Sequence, residues 1–265
     1  MAKWFTIFLL VSICTVKSQI TPKSSPLDFS GVAELFADDY MNLYLYKSAD
    51  FSFTKYYSLG FIIGKLQFTL PFKIQSVQNP LRIAAFSENA QEIKFYDQNL
   101  AEIKTVNLRL KFGHINQAYV EDMENIWVLD ESSKQLFQYN LREERTINSY
   151  SMQLDYDGLI DVLVRDKKVY LLYKDALIIH TLTGTLIKKL MIDEGRRLRR
   201  ENNQILVINR STVMDVTDNE IKTIFKKDQA QIVDKNSRAF FVISGNKLYL
   251  YPIEKKKGVQ GGFQQ

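Results

Sequence analysis

Short apolar and aromatic runs alternate along most of the chain with clusters of Asn, Asp, Ser, Gly and Lys, and no long stripe of helical period interrupts them. Within that alternation one small pattern recurs just after a turn: an apolar residue followed three positions later by an aromatic. It appears as Phe53 with Tyr56, Ile93 with Tyr96, Leu136 with Tyr139, Leu177 with His180 and Leu248 with Tyr251, and Val213 with Val216 is a degenerate sixth member. The successive spacings are 40, 43, 41, 36 and 35 residues, close to the length of a four-stranded propeller blade. No proline lies between Pro80 and Pro252, as suits backbone committed to sheet ladders.

Each of these strands follows a second apolar run across a polar turn: Leu43 to Tyr46, Ile83 to Phe86, Ile126 to Leu129, Val169 to Leu172, Ile205 to Ile208 and Phe240 to Ile243. Turns such as Ser244-Gly245-Asn246-Lys247 carry residues that tolerate hairpin geometry. Outer strands are expected over Phe61 to Phe68, Ile103 to Leu110, Thr146 to Met152, Thr185 to Ile192 and Ile221 to Phe225. Shorter inner strands fit Ile115 to Val120, Ile160 to Val164 and Gln231 to Asp234. The pattern predicts an all-β, six-bladed β-propeller of four-stranded antiparallel blades, closed between its N- and C-terminal strands. A twisted sheet with two apolar faces is covered on both sides when such units ring an axis. Gly31 to Phe36 are expected to pair with the last unit and fasten the ring. Two separate sandwiches are the competing arrangement.

The composition, 46% hydrophobic and 25% charged, excludes collagen, coiled-coil rods and disorder. Residues 1–18 read as a secretory signal: Lys3 is the positive n-region, Phe5 to Val16 the apolar region, and cleavage falls before Gln19. A membrane anchor needs about 20 apolar residues, and Lys17 interrupts the run earlier. Lipidation at Cys14 is the weaker alternative, because bulky Ile13 precedes it. Cys14 is the only cysteine, so the exported chain carries neither a disulfide nor a thiolate metal site. Without Lys3 and Lys17 the formal charge falls from +5 to +3, too small for a nucleic-acid footprint. The expected organisation is a polar lead-in at 19–28, one propeller domain at 29–254, and a basic Gly/Gln-rich tail at 255–265. No transmembrane span is expected after cleavage.

Three segments carry a resemblance. Ala37-Asp38-Asp39-Tyr40-Met41-Asn42-Leu43-Tyr44-Leu45, Asn125-Ile126-Trp127-Val128-Leu129-Asp130 and Leu136-Phe137-Gln138-Tyr139 resemble exported six-bladed β-propeller proteins of flavobacteria and other Bacteroidetes. The likeness spans about Phe29 to Ile253. It implies a Gram-negative envelope location, in the periplasm or associated with the outer membrane through a partner, and no transferable catalytic residue. The chain departs from better-known propellers: it has no Trp-Asp signature and few of the glycines of NHL-type repeats.

Candidate chemistry is sparse. With two histidines in all, His114 and His180, a multi-histidine metal centre is excluded. His180 stands where four repeats have tyrosine, a packing position; His114 follows Gly113 at an inner-strand entrance, where it could face a ligand. Phosphate-cradling, nucleophile-elbow and calcium-loop motifs are absent, and no cofactor is implied. Asp38 with Asp39, or Asp155 with Asp157, could do acid/base work only at a suitable separation; adjacent Asp38 and Asp39 read as turn residues. The unusual cluster is Arg196-Arg197-Leu198-Arg199-Arg200, placed where the fifth inner strand should run. As channel-facing forks Arg196, Arg197, Arg199 and Arg200 would bind an acidic ligand; as a solvated loop they would be balanced by Asp193, Glu194 and Glu201, the reading their neighbours favour. Trp127 and the tyrosines fall at blade packing positions. The leading expectation is a non-enzymatic platform for an envelope protein or polymer. The alternatives are a carboxylate-based hydrolase or lyase acting on a glycan or lactone, and a sensor of small anions.

Overall fold

The computed structural model describes residues 27–57, 60–217 and 220–254, and among them it contains 23 β-strands and no helix. The expected leader at 1–18 and the tail at 255–265 lie outside the described residues. Blade 1 is β1 (Val32–Ala37), β2 (Leu43–Lys47), β3 (Ser52–Tyr56) and β4 (Ile62–Gln67). Blade 2 is β5 (Lys73–Ser76), β6 (Ile83–Ser87), β7 (Glu92–Tyr96) and β8 (Glu102–Asn107). Blade 3 is β9 (Ile115–Val120), β10 (Asn125–Asp130), β11 (Gln135–Asn140) and β12 (Arg145–Ser151). Blade 4 is β13 (Asp161–Arg165), β14 (Lys168–Leu172), β15 (Ala176–Thr181) and β16 (Leu186–Met191). Blade 5 is β17 (Arg197–Glu201), β18 (Gln204–Ile208), β19 (Thr212–Val216) and β20 (Ile221–Lys226). Blade 6 is β21 (Ile232–Lys235), β22 (Ala239–Ser244) and β23 (Lys247–Pro252). Every sheet is an antiparallel meander, so the fold is a six-bladed β-propeller, with three strands of the sixth blade among the described residues.

The second strand of each blade shows why this sequence stacks radially. Side chains alternate across a strand, and both faces of β2 are buried: Tyr44 and Tyr46 pack on blade 2, while Leu43 and Leu45 pack on blade 6. In β10, Ile126 and Val128 meet blade 2, and Trp127 and Leu129 meet blade 4. Each continuous apolar run therefore feeds two interfaces, and six core clusters fill the six gaps between blades. Outer strands need no second cover. Residues of β4, β8, β12 and β16 are largely exposed, and lysines such as Lys65, Lys104 and Lys189 discourage pairing with another sheet edge.

Ring closure differs from the expectation in one respect. The segment expected to join the last unit is β1, and it hydrogen-bonds to β2 as the inner strand of blade 1. The gap to blade 6 is closed by side chains instead: Leu27, Phe29, Leu35 and Leu43 pack with Ile232, Phe241, Ile243 and Leu248. Polar ties flank this core, from Asn236 Nδ2 to the Asp38 carbonyl at 2.9 Å and from the Phe29 N–H to Asn246 Oδ1 at 2.9 Å.

Candidate functional site at the central channel

All six inner strands bring polar side chains to the axis. On one side, Lys73 of β5 donates to Asp161 of β13 at 2.6 Å, to Gln117 Oε1 of β9 at 2.9 Å and to the Ile160 carbonyl at 2.8 Å. The other oxygen of Asp161 accepts the Leu198 N–H of β17 at 2.7 Å, so one ammonium and one carboxylate link blades 2 to 5. On the other side, Arg197 and Arg199 both donate to Asp234 Oδ1, at 2.8 and 3.0 Å. Asp234 Oδ2 accepts the Ala37 N–H of β1 at 2.8 Å. Arg197 stacks over the Phe36 ring at 4.1 Å and lies 3.5 Å from Glu34. Arg199 pairs with Glu201 at 3.2 Å and donates to the Lys235 carbonyl, while Lys235 pairs with Glu201. A buried ion pair is strongly destabilising to break, since its desolvated partner is left uncompensated. These charges act first as a clamp across the ring.

Glu34 lies on the inner strand of blade 1, its side chain half-exposed and 3.5 Å from Arg197. Burial pushes its pKa up from the ordinary carboxylate value, and Arg197 and Lys73 pull back against that rise.

Towards one face the channel opens into a cavity of about 650 Å³ lined by Gln75, Gln78, Arg82, Tyr119, Asp122 and Arg200, among others, with Lys73 and Asp161 at its deep end. Its mouth is framed by the loops after β5, β9 and β17, which follow the inner strands. The acids here are already engaged. Asp161 holds Lys73 and two backbone N–H groups. Glu121 accepts from Trp127 Nε1 at 2.8 Å. Asp122 accepts from the N–H groups of Glu124 and Asn125; burial opposes its ionisation, but the Asn125 and Glu124 hydrogen bonds and Arg82 bring its pKa below the usual value. The donors are less complete. Among the described residues, Gln75 Nε2 is buried without an acceptor, and so is Nε of Arg199, a side chain only 7% exposed. Burial raises the pKa of Tyr119, and the neighbouring Arg200 guanidinium opposes that rise.

The same face is asymmetric. Tyr40, Leu81 and Met123 project from successive inner loops of blades 1, 2 and 3, and they are 70%, 64% and 60% exposed. Phe61 and Tyr57 extend the apolar arc outward on blade 1. The loops are joined, by Gln78 Nε2 to the Ala37 carbonyl and by Arg82 to the Met123 carbonyl. The corresponding loops of blades 4 to 6 expose Asp166, Lys167, Asn202, Asn203, Ser237 and Arg238.

The arginine cluster lies on strand β17 and its approach, where the repeat register places it, rather than in a loop. Gly195 allows that approach: a Cβ there would meet the Tyr173 carbonyl at 2.7 Å. Alternation along β17 then divides the cluster. Arg197 and Arg199 turn to blade 6 and are buried in ion pairs; Arg196 and Arg200 are exposed, and Arg200 lines the cavity. His114 is not brought to these arginines. It sits before the opposite end of β9, exposed, 3.2 Å from Glu88, while the mouth is built at the Tyr119 end. A six-residue strand separates the two by about 20 Å. His180 Nδ1 donates to the Gly184 carbonyl, 3.0 Å away, within its hairpin. Asp38 is wholly buried and accepts from Asn42 and the Tyr44 hydroxyl, the turn role expected of it. Asp155 closes its own turn on the Asp157 N–H beside a second, 440 Å³ cavity on blade 4.

Sequence reasoning missed Glu34, Lys73, Gln117, Asp161 and Asp234. A signal was present: with Arg197 these polar positions recur on inner strands at spacings of 36 to 44 residues, the blade period.

Fold and channel together define a member of the structural class of six-bladed β-propellers. Among solved structures, a chain of the mitotic checkpoint complex is similar, with 9% identity over 96% of this chain and 99% of that one and a TM-score of 0.55. A streptogramin B lyase is similar at 12% identity over 89% of this chain and 87% of its own, with a TM-score of 0.52. A catalytically inactive virginiamycin B lyase from Staphylococcus aureus, solved with quinupristin, has 12% identity over 89% of each chain and a TM-score of 0.50. Likeness at such identity extends to the fold alone. The sequence matches no protein-family model and no curated protein.

Proposed function

We propose that the protein is a non-enzymatic, exported propeller that serves as a rigid docking platform in the bacterial cell envelope, and that its working surface is the channel-mouth face of blades 1 to 3. The observation that carries this reading is the arc of Tyr40, Leu81 and Met123 beside the cavity, confined to one half of a face whose other half is polar. Contiguous exposed apolar surface rimmed by polar groups marks interaction sites, and loops on a rigid scaffold are where such sites arise. The engaged acids of the cavity favour binding over hydrolysis, because a general acid needs a carboxyl free to hold a proton. Export rests on the leader-like residues 1–18, and the envelope location on the resemblance to exported flavobacterial propellers.

The test is crosslinking in intact cells with the native chain and with a variant carrying Leu81→Asp and Met123→Asp. Both side chains are exposed, so the melting temperature should stay within about 1 °C, while crosslinked partners should disappear. Retention of every partner by the double variant would sink this assignment of the surface.

A further inference from the structure

We propose that the channel-mouth cavity receives an extended acidic segment of a partner protein, with Arg200 and the Gln75 amide as its carboxylate-binding donors and Leu81 and Met123 as the seat of neighbouring apolar side chains; this deepens the docking reading and rests on it.

The argument begins with which valences the cavity leaves open. Of its cations, Lys73 is held by Asp161, Arg199 by Asp234 and Glu201, and Arg82 by the Met123 carbonyl over the Phe95 ring. Arg200 is exposed, lines the cavity, and forms no ion pair among the described residues. Its acids Glu121, Asp122 and Asp161 already accept from protein donors. Among the described residues, the buried polar atoms of the lining left without a partner are Gln75 Nε2 and Nε of Arg199, both of them donors. A buried donor without an acceptor costs about 1–3 kcal/mol, so the cavity is complementary to an acceptor-rich, negatively charged group. A guanidinium fork meets a carboxylate with two parallel hydrogen bonds.

The surroundings then choose among carriers of that carboxylate. Leu81 and Met123, adjoining the mouth, are an aliphatic and a thioether side chain, suited to apolar protein side chains that vary in shape. Gln75, Gln78 and Asn79 offer amides that pair with peptide N–H and C=O groups. An acidic glycan would call for aromatic faces, and Tyr119 is the only aromatic in the lining.

The experiment is fluorescence anisotropy of the full chain with a short fluorescein-labelled peptide of alternating aspartate and leucine. Saturable binding is expected, weakened by about tenfold or more when aspartate is replaced by asparagine or when the protein carries Arg200→Glu. Arg200→Gln should weaken it less, and Leu81→Asp should also weaken it. Arg238→Glu, on the polar half of the face, and His114→Ala, at the far end of β9, should leave it unchanged. Higher salt should reduce affinity. Absence of binding, binding indifferent to Arg200→Glu in a variant that melts normally, or equal competition by an oligogalacturonate would overturn the proposal. If the peptide fails while crosslinked partners still depend on Leu81 and Met123, the docking face stands without this ligand; if both fail, both are wrong.

Discussion

Arg197 of blade 5 and Asp234 of blade 6 meet at 2.8 Å across the boundary between their blades, and the same carboxylate takes the Ala37 N–H of blade 1 on its other oxygen. One side chain thus joins three blades at the point where the ring closes. The arginine run that stands out in the sequence is half clamp and half surface, divided by strand alternation.

Removal of the Asp234 carboxylate takes from the buried Arg197 and Arg199 the acid they share, leaving Arg197 only the half-exposed Glu34 and Arg199 only Glu201. Asp234→Ala is expected to cost about 3–5 kcal/mol, read as a fall in denaturant midpoint at constant slope. A double-mutant cycle with Arg197→Met should show strong coupling. Additive effects would mean that the pair does not hold the seam.

Asn236 is the second closure residue. Its amide donates to the Asp38 carbonyl and its oxygen accepts the N–H groups of Arg238 and Ala239. Asn236→Ala should destabilise by about 1–3 kcal/mol and lower the whole thermal transition together, because blades that share every face unfold cooperatively. A separate early transition for blade 6 alone would contradict a closed ring.

Two groups give opposite pH signatures. Burial raises the Glu34 pKa above its ordinary 4.5. Just above that pH the unfolded chain has lost the proton and the folded chain keeps it, so stability falls as pH rises through the window. Burial lowers the His180 pKa below 6.5, so its contribution is present above 6.5 and lost as pH falls through the lowered value. Melting curves from about pH 4 to 8 should show Glu34→Gln gaining on the native chain towards neutral pH. They should also show His180→Tyr, the residue of four sister repeats, relieving the loss just below 6.5. Curves parallel to the native one would refute both assignments.

The β13–β14 turn stores a small conformational cost. Asp166 and Lys167 have φ of 50° and 60°, a left-handed region that side chains with a Cβ enter at about 1 kcal/mol or more. Lys167→Gly should therefore raise stability by up to about 1 kcal/mol, measured by chemical denaturation. A loss would show that the lysine side chain contributes more than its backbone strain costs.

Much of the architecture is legible in the sequence. All six second strands and all six third strands fall where the repeat places them, and the arginine run lies on the fifth inner strand. Those features are local, because a blade strand with two buried faces must be continuously apolar and its hairpin must carry turn residues. The role of β1 was misread because pairing with β2 and pairing with a last-blade strand require the same alternation. The site was less legible still. Lys73 and Asp161 are 88 positions apart, and Arg197 and Asp234 are 37 apart; no local pattern says which charge faces which across a ring.

The chain's own order of residues determined the blades, since apolar period and turn chemistry act over a few neighbours. Only closure decided which charges became internal ties, which donors were left facing the cavity, and which apolar loop residues gathered on one half of one face. Each of those outcomes depends on distances between strands from different blades, and such distances exist only once the sheets have packed around a common axis.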